Sequence, residues 1–166
     1  MGGIILKIVG IDMSSSKTGI SQFIDGKYAG HVLIDLHKTK DTDERMRMMM
    51  RSIKRQLDIY KPDMIVIEEC LMTTNIKVVK VLSYIAGTII SWADENNVEF
   101  RFQLPTEWRA KVGITQSKNV KRAVLKQEAI DMVKEKFGLD VTDDESEAIL
   151  LAYSAVVKNA DGIDID

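Results

Sequence analysis

The chain has 166 residues, 45% hydrophobic and 29% charged, with a net charge of −2. That length suits one domain with its own core, the near-neutral balance excludes a uniformly basic nucleic-acid binder, and a lone cysteine, Cys70, excludes an internal disulfide or a cysteine zinc cluster. No apolar run reaches about 18 residues, so no membrane span is expected, and the N-terminal run, with no basic region before it, reads as a strand of a protein in a reducing cytoplasm.

Ile4–Ile11 is short, β-branched and apolar, a predicted central strand that ends at Asp12. Met13–Lys17 is a polar turn. Thr18–Ile24 and Tyr28–Ile34 are predicted strands joined by Asp25-Gly26, a hairpin turn signal. Asp41–Tyr60 is predicted helical, with Met46, Met49, Met50, Ile53, Leu57 and Tyr60 at helical spacing and Lys61-Pro62-Asp63 as its stop. Met64–Ile67 is a predicted buried strand ending at Glu68. The loop Cys70–Thr74 leads into a helix over Asn75–Asn96, and Val98–Gln103 is the fifth strand. Pro105 opens a short helical turn through Trp108, which reads as a buried anchor; Val112–Gln116 is a loop. Ser117–Phe137 is a long helix stopped by Gly138. Thr142 caps the last helix, with Glu145 three residues on in a capping box. This order predicts an α/β fold: a five-stranded mixed sheet, three antiparallel then parallel strands, flanked by helices. Residues 1–158 are read as one domain and 159–166 as an acidic tail.

Charge is unevenly spread. Residues 101–136 carry nine Lys/Arg and four Asp/Glu, a local +5, whereas residues 137–166 carry one and eight, a local −7. A basic stretch before an acidic end suggests a face for a polyanion beside a metal site. On the predicted helix, Lys118, Lys121, Arg122 and Lys126 fall at i, i+3, i+4 and i+8, one stripe; Arg109 and Lys111 extend it. Phosphate contact is one reading of the stripe, and a merely solvated helix face is the other.

Four acids stand at the ends of apolar runs. Asp12 and Glu68 close two strands that the predicted sheet places side by side. Asp144 and Glu147, at i and i+3, share a helix face with Ala148 and Leu151, which should press on the sheet. Buried carboxylates need a positive partner. Mg²⁺ favours carboxylate oxygens, and two such ions about 3.5–4 Å apart activate water and stabilise a leaving oxygen in phosphodiester cleavage. Taken singly, three of the four have a plainer role, and Glu147, beyond the first helical turn and among apolar residues, has less of one. Asp12 fits a turn, Glu68 an exposed pair with Glu69, and Asp143, Asp144 and Glu145 a first helical turn where acids suit the helix dipole.

The segments GIDMSSSKTGIS (10–21), IVIEECLMTTN (65–75), QLPTEWRAKVGI (103–114) and TDDESEAILLAY (142–153) resemble the RuvC family of Holliday junction resolvases. That family lies within the RNase H-like superfamily, and the Pro-x-x-Trp-Arg segment resembles its shorter phage and prophage branch. The resemblance implies an RNase H-like nuclease whose Asp12, Glu68, Asp144 and Glu147 hold paired Mg²⁺ or Mn²⁺. The family's fourth acid is often Asp, so Glu147 is a departure and Asp143 a possible substitute ligand. It further implies a homodimer, joined on the helix after Glu68, over Val78–Ile90, in a bacterial or phage-infected cell. Each of two sites would nick one of two opposed strands of a four-way DNA junction, leaving 5′-phosphate and 3′-hydroxyl ends. Lys118 matches a basic position near the scissile phosphate. Leu71 stands where bacterial members carry an aromatic wedge, which implies a broader choice of branched DNA. Two other classes compete. One is a branched-DNA-binding protein without catalysis. The other is a nucleotide-binding domain of the actin-like ATPase type, suggested by Gly10-Ile11-Asp12 with Thr18-Gly19.

Overall fold

Three β-branched runs without helix formers between them fold back on one another before the first helix appears. The structure, a computed structural model, describes residues 6–70, 74–114, 116–117 and 119–157. Its elements run β1 (Lys7–Asp12), β2 (Lys17–Ile24), β3 (Lys27–Asp35), α1 (Thr42–Tyr60), β4 (Met64–Glu68), α2 (Ile76–Glu95), β5 (Glu99–Gln103), α3 (Pro105–Val112), α4 (Arg122–Phe137) and α5 (Asp143–Val156). The five strands form one sheet in the order β3-β2-β1-β4-β5. β1, β2 and β3 are antiparallel, and β4 and β5 are parallel to β1, as the sequence predicts. Asp25 and Gly26, with φ of 49° and 77°, make the tight turn that returns β2 into β3.

Each sheet face carries its own apolar layer. Val9, Ile11, Ile20, Ile65 and Ile67 pack against Met49, Ile53 and Leu57 of α1 and Ile85, Ile89 and Trp92 of α2. Ile8, Phe23 and Val66 face the other way, onto Trp108 of α3, Ala129 and Val133 of α4, and Ile149–Ala152 of α5. The period-2 alternation within β1 and β4 is therefore hidden in the sequence, because both faces are covered and both need apolar residues.

Three expectations need correction. The helical turn at Pro105 continues through Val112 as α3, with Pro105 and Trp108 buried and Gly113 in the left-handed region at φ 90° as its stop. The long helix starts at Arg122, not Ser117, because Asn119 has a φ of 77°, which no right-handed helix accommodates. And α2 is, by its 20 residues and mean hydropathy of 1.4, long and apolar enough to cross a bilayer, contrary to the exclusion drawn from the sequence. Lys77 and Lys80 interrupt that run only at its start, and Ile85, Ile89, Trp92 and Ala93 are buried on the sheet. Residues 159–166, Leu71 and Lys118 lie outside the described residues.

Candidate active site

Strand register and one helix bring the four acids to one place. Ile11 of β1 pairs with Ile67 of β4 in parallel register, so the next residue on each strand, Asp12 and Glu68, emerges at the same sheet edge. The N-terminal half of α5 crosses β1 and β2 at close range. A Cβ on Gly10 would stand 2.6 Å from the Ala148 carbonyl oxygen, and one on Gly19 would stand 2.4 Å from that of Asp144. Both glycines therefore let helix backbone rest directly on strand backbone. The buried Ser21 hydroxyl donates to the Ala148 carbonyl over 2.7 Å and pins the contact.

The start of α5 is also fixed. Thr142 and Glu145 form the expected capping box, with the Thr142 N–H donating to Glu145 Oε2 over 2.7 Å. The other Glu145 oxygen meets His31 Nε2 of β3 at 3.2 Å. Thus anchored, α5 presents Asp144 and Glu147 to the strand ends. A cleft of 530 Å³ results, and Asp12, Glu68, Asp144, Glu147, Arg109 and Arg122 line it together with Met13, Val78, Leu82 and Pro105.

The electrostatics of this cleft are strained. Burial, then Glu68, Glu147 and Asp144 in that order, lift the Asp12 carboxyl well above the usual aspartate range. Glu68 is raised mainly by burial, against the lowering effect of its bond from Trp108. Asp144 is raised by burial and then by Asp143. Burial is the first cause for all three and neighbouring carboxylates add to it; buried carboxylates gathered at one cleft are a donor set suited to a divalent ion. Among the described residues, no three acidic, cysteine or histidine side chains are already gathered closely enough to ligate one ion. Two of the acids have internal donors: Trp108 Nε1 donates to Glu68 Oε2 over 2.7 Å, and Arg109 Nη2 donates to Glu147 Oε1 over 2.9 Å.

The basic residues fare differently from their predicted stripe. Arg109 is no surface phosphate contact in this state; its side chain is 12% exposed and sits inside the cleft against Glu147. Lys126 turns inward as well and pairs with Asp143, which lowers the Asp143 carboxyl and raises the Lys126 ammonium. Asp143 thereby faces Lys126 and is absent from the cleft lining, whereas Asp144 is part of it. Arg122 is exposed and lines the cleft, while Lys111 and Lys121 are exposed outside that lining. Lys121 caps α4 rather than sitting within it, so the four-residue helical stripe does not exist as drawn. Lys118 and Leu71 lie outside the described residues.

Trp108 is the site residue that periodicity did not reveal. It is fully buried, as expected of an anchor, but its indole N–H also holds Glu68. The Trp-Arg pair directly after a helix-opening proline was the available signal. Trp108→Phe should cost about 1–3 kcal/mol of stability through the smaller ring and the lost donor. It should also slow single-turnover cleavage of a branched DNA. An unaltered rate in that variant would show that Glu68 does not depend on the indole.

The topology and the acid-lined edge define the RNase H-like class of α/β proteins. The sequence matches the family described as crossover junction endodeoxyribonuclease RuvC over residues 8–154, and the chain belongs to that family. RuvC of Fusobacterium nucleatum is 24% identical over 158 residues, covering 91% of this chain and 80% of that protein. RuvC of Brachyspira hyodysenteriae is 24% identical, with 91% and 94% covered. Among solved structures, Thermus thermophilus RuvC in complex with a Holliday junction superposes with a TM-score of 0.71 at 14% identity, over 91% of this chain and 93% of that one. The fowlpox virus resolvase, solved with junction DNA, gives 0.60 at 18% identity, with 92% and 97% covered.

Proposed function

We propose that the protein is a metal-dependent endonuclease that nicks four-way DNA junctions, and other branched DNA, by phosphodiester hydrolysis. The observation that carries this reading is the convergence of Asp12, Glu68, Asp144 and Glu147 on one cleft beside Arg109 and Arg122. Membership of a junction-nuclease family and the likeness to resolvases solved with junction DNA support it.

The four carboxylates are the residues that would hold Mg²⁺ or Mn²⁺, two ions per site. Bound there, such ions supply a water of lowered pKa and charge stabilisation at the leaving oxygen. This chain's own residues do the rest. Trp108 orients Glu68. The capping box of α5 and the glycine contacts at Gly10 and Gly19 fix the height of Asp144 and Glu147 above Asp12. Arg122, with Lys111, Lys118 and Lys121, supplies sequence-independent phosphate contacts. Homodimerisation along α2 would pair two such sites. Val78 and Tyr84 are exposed on that helix, and Phe100 and Phe102, exposed on β5, share the sheet face it covers through their register with Ile65 and Ile67.

The test is to incubate four-way, three-way and flap DNAs with the protein in Mg²⁺ and in EDTA and to map the nicks. Symmetric nicks in the four-way junction, with 5′-phosphate ends and only in Mg²⁺, are expected. Binding in both conditions with nicks in neither would instead identify a branched-DNA-binding protein without catalysis.

A further inference from the structure

Arg109 stands in a position that neither a surface phosphate contact nor a structural ion pair explains. Its guanidinium is nearly buried within the cleft, stacked 4.9 Å from the Trp108 ring centroid, and bonded through Nη2 to Glu147 Oε1. Its Nε is buried and has no hydrogen-bond partner among the described residues. A buried guanidinium N–H left without an acceptor is costly. Glu147, only 4% exposed, is in turn one of the four acids of the site. The cleft wall thus contains one cation whose hydrogen bonding is incomplete and one carboxylate that this cation engages.

We propose that Arg109 is an exchangeable phosphate-binding residue: it neutralises Glu147 while the site lacks a divalent cation and passes to a DNA phosphate when a cation takes Glu147. The proposal rests on the nuclease reading above. In the exchange no buried charge is left unpaired. Glu147 trades a guanidinium for a divalent ion, and the guanidinium trades a carboxylate for a phosphate. A phosphate offers more acceptor oxygens than the single carboxylate oxygen seen here, so it can also take the Nε proton. The planar fork suits this task, since guanidinium pairs with carboxylate and phosphate by the same geometry. Stacking on Trp108 keeps the fork in the cleft through the change. Divalent cation and DNA then bind with positive coupling, because each removes the other's competitor. The length of Glu147 matters here: a glutamate carries its carboxylate one methylene further from α5 than an aspartate does.

The test reads DNA affinity, not cleavage. Fluorescence anisotropy of a labelled four-way junction is measured at fixed salt, in EDTA and with Ca²⁺ in place of Mg²⁺. The wild-type protein should bind roughly tenfold more tightly with Ca²⁺, the size of one charge-assisted hydrogen bond. Glu147→Gln should free Arg109 and bind in EDTA as tightly as wild type does with Ca²⁺. Asp144→Asn, which removes a negative charge from the same cleft without touching Arg109, measures the gain from charge alone and should be smaller. The double variant Arg109→Gln, Glu147→Gln leaves no unpaired charge behind, which protects its folding, and should return to weak binding. Equal gains in Glu147→Gln and Asp144→Asn, or a double variant as tight as Glu147→Gln, would overturn the exchange. A wild-type protein that binds no junction in either condition overturns the nuclease reading itself, and the exchange with it.

Discussion

Asp12→Asn should abolish cleavage, by at least about three orders of magnitude, while junction binding persists and the metal-free protein becomes more stable. The loss follows from the place of Asp12 at the cleft floor, facing Glu68, Asp144 and Glu147. The gain in stability follows from the sign of its shift. The folded state holds the Asp12 proton more tightly than the unfolded chain does. Stability is therefore lost as pH rises from the ordinary aspartate range through the raised value, because the folded protein must then accommodate a charge it disfavours. Asparagine removes that charge. In EDTA at neutral pH, the Tm of the variant should exceed that of the wild type, and the gap should close as pH falls toward the ordinary aspartate range. Divalent ion should raise the wild-type Tm and leave the variant less affected. Paired single-turnover assays and melting curves check both halves. Full activity in Asp12→Asn removes the metal assignment, and a lower Tm in EDTA removes the electrostatic account.

Gly10→Ala should damage both stability and chemistry, through a residue that touches no substrate. Its Cβ would lie 2.6 Å from the Ala148 carbonyl oxygen, 2.7 Å from the Ala152 nitrogen and 2.8 Å from the Ala152 Cβ. Two of these are backbone atoms of α5, so no side chain can swing aside, and the whole helix must lift. Overpacking of this kind costs about 1–3 kcal/mol. At this chain length each kcal/mol lowers Tm by about 2–4 °C. Since α5 carries Asp144 and Glu147, the cleavage rate should fall further than the folded fraction does. The check is a rate measured well below the variant's own Tm. A variant with wild-type rate and Tm would mean that α5 does not rest on β1.

The three antiparallel then parallel strands, the placing of β1 beside β4 and the meeting of four acids at their ends were legible in the sequence. β-Branched runs, the Asp25-Gly26 turn and the Thr142–Glu145 capping box are local signals, and each acid sits at the end of one such element. The orientation of the cations was not legible. Lys126 and Arg109 look like members of an outward stripe because charged residues are normally solvated, and only the folded chain brings them their carboxylate partners, Asp143 and Glu147. The start of α4 was missed for a related reason. Residues 117–121, polar except for Val120, carry no apolar periodicity to contradict a helix, and the left-handed Asn119 that ends the possibility leaves no mark in composition. Gly10 and Gly19 read as ordinary strand glycines until the helix above them is in place.

Three successive acids open α5, and the structure gives each a separate place. Asp143 is engaged by Lys126, Glu145 by its own cap and by His31, and Asp144 faces the cleft. Asp143 is thus already committed to a cation, as Asp144 is not. Neighbouring acids in a helix are turned by about 100° from one another, and here the two outer ones are tethered where they point. A carboxylate at 143 would have to give up Lys126 before it could serve in place of Asp144, so the run Asp-Asp-Glu is less redundant to drift and selection than it looks.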